Sequence, residues 1–133
     1  MSLALTPDRR RERVQQIIVR HLSGTHAGRV ETFGVEPGGV LTIGRDPEAN
    51  IRLDSYRDGT VSRHHARIIA HATGTIWLEL VDRESTNGTF LNTRWLRGRI
   101  ALVPGDRIRL GVGGPELEFD IQTPAVDGTP GVT

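Results

Sequence analysis

Three stretches of this chain alternate apolar and polar positions with a period of two. In 75–81, Ile76, Leu78 and Leu80 alternate with Trp77, Glu79 and Val81. In 106–110, Ile108 and Leu110 alternate with Arg107 and Arg109. In 116–121, Leu117, Phe119 and Ile121 alternate with Glu116, Glu118 and Asp120. Such alternation puts one face of an extended strand in a core and the other in water. Turn-forming groups punctuate the chain at short intervals: Glu36-Pro37-Gly38-Gly39, Asp58-Gly59, Asn87-Gly88, Pro104-Gly105 and Gly113-Gly114-Pro115. Many short strands between such turns predict an all-β sandwich or barrel. A chain of 133 residues has room for one domain, and no internal repeat divides it.

The two ends read differently. Residues 122–133 are dominated by Pro, Gly, Thr and small side chains and predict a flexible C-terminal tail. Residues 1–14 predict an arm, either flexible or a short helix. Thr6-Pro7 has the form of an N-cap followed by Pro in the first helical position. Val14, Ile17, Ile18 and His21 then fall at helical spacing, while Ile17-Ile18-Val19 is a β-branched run that favours a strand. Periodicity alone leaves 7–22 open between the two. The expected folded unit is 15–121, with its first strand beginning near Gln15.

Composition excludes several kinds of chemistry. All 17 basic residues are Arg, and the chain has no Lys and no Cys. A phosphate-binding P-loop and a Schiff base both need Lys. A disulfide framework, a thiol nucleophile and a Cys-ligated metal all need Cys. Formal net charge is only +1, so no strongly cationic nucleic-acid surface is expected. The short run Arg9-Arg10-Arg11-Glu12-Arg13 reads as a solvated arm or helix start. No apolar run approaches the roughly 20 residues of a membrane span. The expected setting is cytoplasmic, and a fragment of a longer protein fits equally well.

Ser62, His65 and Asp82 supply the residue types of a catalytic triad. No nucleophile-elbow pattern surrounds Ser62, however. His64 and His65 face opposite ways on a strand, and His21, His26 and His71 are scattered, which gives a metal little support. Neither a catalytic residue nor a metal ligand is therefore assigned, and the chain is not expected to be an enzyme.

Three segments at the ends of apolar runs carry hydrogen-bonding groups in turns, where a rigid scaffold presents binding residues. They are Thr42-Ile43-Gly44-Arg45-Asp46, Val61-Ser62-Arg63-His64-His65-Ala66 and Ser85-Thr86-Asn87-Gly88-Thr89-Phe90. The ordered set Gly44-Arg45, Ser62-x-x-His65 and Asn87-Gly88 resembles the forkhead-associated (FHA) domain family. Asn50-Ile51-Arg52-Leu53 resembles the family's strand after the Gly-Arg turn. Leu102-x-Pro104-Gly105-Asp106-x-Ile108, followed by Gly111, resembles its late turn. The likeness covers roughly 15–121.

That resemblance implies an FHA-type β-sandwich of about eleven strands in two antiparallel sheets, with binding loops at one end. It implies a module that binds phosphothreonine in a partner protein, such as a Ser/Thr kinase or its substrate, without a cofactor. Arg45, Ser62, Arg63, Thr86 and Asn87 fall at phosphopeptide-binding positions. Gly44, His65 and Gly88 fall at positions that support the site. Asn87-Gly88 reads as a type I′ turn, whereas Asn92-Thr93 is a poorer former of that turn, so a longer hairpin is expected there. Arg57, in the long loop 54–60, is a solvated side chain or a further contact. Gly111–Pro115 is expected to influence preference at the third residue after the phosphothreonine. Thr6, Thr123 and Thr129 each precede Pro and suggest self-association through a phosphorylated tail. The alternative function is a phosphate-independent scaffold or self-association domain on the same fold.

Overall fold

The computed structural model describes residues 15–122. The arm at 1–14, the arginine run within it, and Thr6, Thr123 and Thr129 lie outside the described residues. Eleven strands and no helix are found among those described: β1 (Gln15–His21), β2 (Val30–Val35), β3 (Val40–Gly44), β4 (Ile51–Arg52), β5 (Ala66–Thr73), β6 (Thr75–Asp82), β7 (Thr89–Leu91), β8 (Arg94–Trp95), β9 (Arg99–Leu102), β10 (Arg107–Leu110) and β11 (Glu116–Gln122). One sheet runs β2-β1-β11-β10-β7-β8 and the other β4-β3-β5-β6-β9. All pairs are antiparallel except β3 with β4, which are parallel and make the second sheet mixed.

β1 settles the ambiguity at 7–22 in favour of a strand from Gln15 onward. Ile17, Val19 and His21 are buried, and the residues between them are half-buried. The helical spacing loses because β1 is paired on both sides, with Ile17 opposite Ile121 on β11 and Phe33 on β2. Two ladders of backbone hydrogen bonds and a buried β-branched face outweigh a weak local helix preference. β11 continues through Gln122, which pairs with Gln16, one residue past the expected boundary.

The core lies between the sheets. Ile17, Ile43, Ile51, Leu80, Leu110 and Phe119 are buried essentially completely. Each such side chain contributes about 1.5–3 kcal/mol by leaving water. The alternation on β10 and β11 holds. On β6 it does not, because Glu79 and Val81 are buried as well. β6 is flanked by β5 and β9. The carboxylate of Glu79 is covered by His71 at 2.9 Å and Arg99 at 3.6 Å.

Two turns differ from the sequence-based expectation. Gly88 has φ +86°, but Asn87 is not among the positive-φ residues, so this turn is not type I′. The turn with two positive φ values is Asn92-Thr93, at +49° and +73°. It joins β7 and β8 in a tight two-residue hairpin, with Leu91 opposite Arg94, rather than the longer hairpin expected. The reason lies outside the hairpin. Asn92 Nδ2 donates to Asp106 Oδ1 at 2.8 Å, and Asn92 Oδ1 accepts from the Arg107 N–H at 2.9 Å. These bonds hold the turn in a geometry that Thr93 alone disfavours.

Strand directions gather six connections at one end of the sandwich: 22–29, 45–50, 53–65, 83–88, 96–98 and 111–115. The three motif segments converge there. No helix among the described residues is long and apolar enough to cross a membrane.

Candidate functional site

Gly44 closes β3 against the 62–63 backbone. A Cβ at position 44 would lie 2.0 Å from the Arg63 carbonyl oxygen, so only glycine permits the approach. Once the two segments meet, Arg45 N donates to Ser62 O at 3.1 Å and Asp46 N to Arg63 O at 3.2 Å. Gly44 therefore sets where Arg45 leaves the sheet.

The half-buried Arg45 side chain is fixed by two carbonyls. Nε donates to Val61 O, and Nη1 donates to Ser55 O at 3.2 Å. A guanidinium has five N–H donors, so several remain unused. Among the described residues no carboxylate pairs with Arg45. Its charge is held in place and left uncompensated.

Ser62 lies beside it, on the 53–65 loop. Its Oγ accepts the Thr86 N–H at 3.1 Å, which joins the second and third motifs and leaves the hydroxyl proton free to donate outward. Beneath both loops, His65 is fully buried. Nδ1 accepts the Ser62 backbone N–H at 3.0 Å, and Nε2–H donates to Gly88 O at 2.8 Å. This pattern requires the neutral ring with its proton on Nε2. Burial pushes the His65 pKa below the ordinary imidazole value, partly opposed by the Gly88 carbonyl and by Asp82.

Asn87 Nδ2 donates to Thr60 O at 3.1 Å, so the Asn87 side chain spans from the third motif to the 53–65 loop. Thr60 in turn donates from Oγ1 to Leu110 O at 2.8 Å. A Cβ at Gly114 would lie 2.3 Å from Thr60 Oγ1, so the 111–115 loop packs directly on this residue. Arg45, Ser62, Thr86 and Asn87 thus form one cluster. Arg63 points elsewhere: its side chain, 66% exposed, meets Asp46 at 3.3 Å, and His64 lies 3.8 Å from the same carboxylate. An exposed pair of this kind contributes at most about 1 kcal/mol.

Two aspartates and a threonine that the sequence motifs did not single out organise the long loop. Asp54 Oδ1 accepts the N–H groups of Tyr56 and Arg57 at 2.8 Å each, and these hold its carboxyl below the usual range. Asp58, buried, accepts from Asp54 N at 2.9 Å and from Thr25 Oγ1 at 3.2 Å. Asp at the start of a turn bonding the backbone two residues on is a signal the sequence carries. The link from Asp58 to Thr25 is not. Arg57 itself is exposed.

The Ser62, His65 and Asp82 trio is not a triad. His65 uses both nitrogens on backbone groups. Asp82 accepts from Ser85 Oγ at 2.6 Å and Thr89 Oγ1 at 2.7 Å. Nothing here activates the Ser62 hydroxyl as a nucleophile. Among the described residues no group of three or more His, Asp or Glu is placed to hold a metal.

The FHA domain model matches residues 41–111. No curated protein sequence matches. Among solved structures, a domain from a structural and functional analysis of phosphothreonine-dependent FHA domain interactions is 31% identical. It superposes with a TM-score of 0.62, over 80% of this chain and 97% of that one. The FhaA FHA domain, solved in complex with the intracellular domain of a second protein, is 31% identical with a TM-score of 0.60, over 77% and 98%. EmbR of Mycobacterium tuberculosis, solved with a low-affinity phosphopeptide, is 30% identical with a TM-score of 0.60. The match covers 87% of this chain and 26% of EmbR.

Proposed function

The chain belongs to the FHA domain family, and on that premise we propose that it binds phosphothreonine in a partner protein through Arg45, Ser62, Thr86 and Asn87. One observation carries the reading: the Arg45 guanidinium is fixed by the Val61 and Ser55 carbonyls beside Ser62, with unused donors and no carboxylate partner among the described residues. A planar fork of charged donors suits a phosphate. The Ser62 hydroxyl adds a second donor. Thr86 contacts the phosphothreonine with its side chain. Asn87 holds the partner's main chain in register while Thr60 fixes its amide. Arg63 exchanges Asp46 for the phosphopeptide. Structures of similar domains with a phosphopeptide and with an intracellular protein domain support a phosphoprotein partner, a Ser/Thr kinase or its substrate.

Each charge-assisted hydrogen bond to the phosphate is worth roughly 1.5–3 kcal/mol. Two of them separate the phosphorylated from the plain peptide by about a hundredfold or more. Calorimetry with a matched pair of threonine and phosphothreonine peptides tests this. Selective binding of the phosphorylated peptide is expected, and weakens below about pH 6 as the phosphate loses its second charge. Equal affinity for both peptides would replace this reading with that of a phosphate-independent scaffold.

A further inference from the structure

The geometry points to a second recognition element for the same partner: a trough leading from Asn87 past Trp95 and Arg97, which takes an acidic flank of the phosphothreonine segment carrying an apolar side chain. This inference rests on the phosphothreonine reading above.

Trp95 is 59% exposed on β8, the edge strand of its sheet. It lies directly beside the third motif, because a Cβ at Gly88 would come within 3.3 Å of Trp95 Nε1. Arg97 stacks over the indole, its Cζ 4.4 Å from the ring centroid. One cavity of about 580 Å³ begins at Thr86 and Asn87 and reaches Trp95 and Arg97. A second, of about 510 Å³, continues from Trp95 and Arg97 to Arg99 and Ile100 on β9. Both are within the size range of binding clefts.

Charge and surface chemistry select the occupant. Arg94, Arg97 and Arg99 line the outer cavity, where no carboxylate lies among the described residues; the inner cavity includes Asp82, whose Oδ1 accepts from Ser85 and Thr89. Arg94 and Arg97 make no ion pair among the described residues, and Arg99, 64% exposed, reaches Glu79 only at 3.6 Å. The apolar wall is formed by Trp95 and Ile100, the latter 42% exposed. Exposed Trp and Arg side by side are the residue types that dominate interface energetics. Carboxylates of the partner pair with the arginines while one apolar side chain rests on Trp95 and Ile100. An extended chain advances about 3.3 Å per residue, so a segment held at Asn87 reaches Trp95 within a few positions.

The test uses labelled peptides sharing one phosphothreonine core, with both flanks built from Asp, Glu and Leu, from Gly and Ser, or from Lys. The acidic-apolar peptide is expected to bind roughly tenfold tighter than the Gly/Ser peptide, and the Lys peptide weaker than either. Trp95→Ala and Arg97→Ala should each bring that ratio to within about twofold while leaving the Gly/Ser peptide unchanged, with circular dichroism confirming the fold. In a Trp77→Phe background, the acidic-apolar peptide should shift Trp95 emission and the Gly/Ser peptide should not. Binding of the Gly/Ser peptide without any gain from acidic flanks overturns the trough and leaves phosphothreonine recognition standing. A gain lost with Arg29→Ala or Arg52→Ala, and kept with Arg97→Ala, also overturns it, by placing the acidic flank on the opposite side of the site. Failure of every phosphopeptide to bind overturns both readings.

Discussion

His65 ties Ser62 to Gly88 from beneath the loops: Nδ1 accepts the Ser62 N–H at 3.0 Å, and Nε2–H reaches the Gly88 carbonyl at 2.8 Å. One buried ring thus sets the spacing between the second and third motifs.

Protonation of that ring breaks the bond to Ser62, since the acceptor becomes a donor. Burial keeps the folded-state pKa of His65 below its ordinary value. In the unfolded chain the ring protonates near pH ~6.5. Below that pH the unfolded state therefore binds more protons, and stability falls with pH until the folded-state pKa is passed. Thermal melting without ligand should show Tm falling between about pH 7 and pH 5. His65→Gln, whose amide can still accept from one side and donate to the other, should give a flatter profile. An identical slope in the variant would assign the pH dependence to other groups.

Arg45→Ala should abolish measurable phosphopeptide binding, a loss of at least ~100-fold by calorimetry. Lys at this position should restore little, because an ammonium cannot reproduce the planar fork that spans Val61 and Ser55 while facing a phosphate. Unchanged affinity in the Ala variant removes Arg45 from the site.

Gly44→Ala tests the close approach. The added methyl would lie 2.0 Å from Arg63 O, a backbone atom that cannot rotate away. Separating the two segments there should cost about 1–3 kcal/mol, as overpacking typically does. It should also lower phosphopeptide affinity, because Arg45 N and Asp46 N lose their register on Ser62 and Arg63. A variant with wild-type Tm and wild-type binding contradicts this.

Thr93→Gly should stabilise the domain. A β-branched residue at φ +73° is strained by about 1–2 kcal/mol, more than the added chain entropy of glycine takes back. The net gain, of order 0.5–1 kcal/mol, should raise Tm by a few degrees. Asn92→Gly should instead destabilise, since it deletes the hydrogen bonds with Asp106 and Arg107. Equal effects of the two changes would refute the idea that Asn92 holds the turn.

Much of this protein follows from the order of its residues. The alternation on β10 and β11 is encoded by a strand's period of two, which needs no knowledge of neighbours. Gly44-Arg45, Ser62-x-x-His65 and Asn87-Gly88 mark the loops that meet, through the resemblance of this ordered set to the family pattern.

What depends on contacts between distant segments was decided only by the tertiary structure. β1 is a strand because β2 and β11 pair with it, against a local pattern that also fits a helix. The type I′ geometry sits at Asn92-Thr93 rather than Asn87-Gly88 because Asp106 and Arg107, at the start of β10, hold Asn92. Arg63 turns to Asp46 while Arg45 faces the cluster, although both are arginines next to the same backbone contact. Trp95, silent in the sequence, lies against Gly88 because β7 and β8 form a tight hairpin. In each case a hydrogen bond or contact between segments outweighs local preferences of about 1 kcal/mol, and only the folded topology says which segments meet.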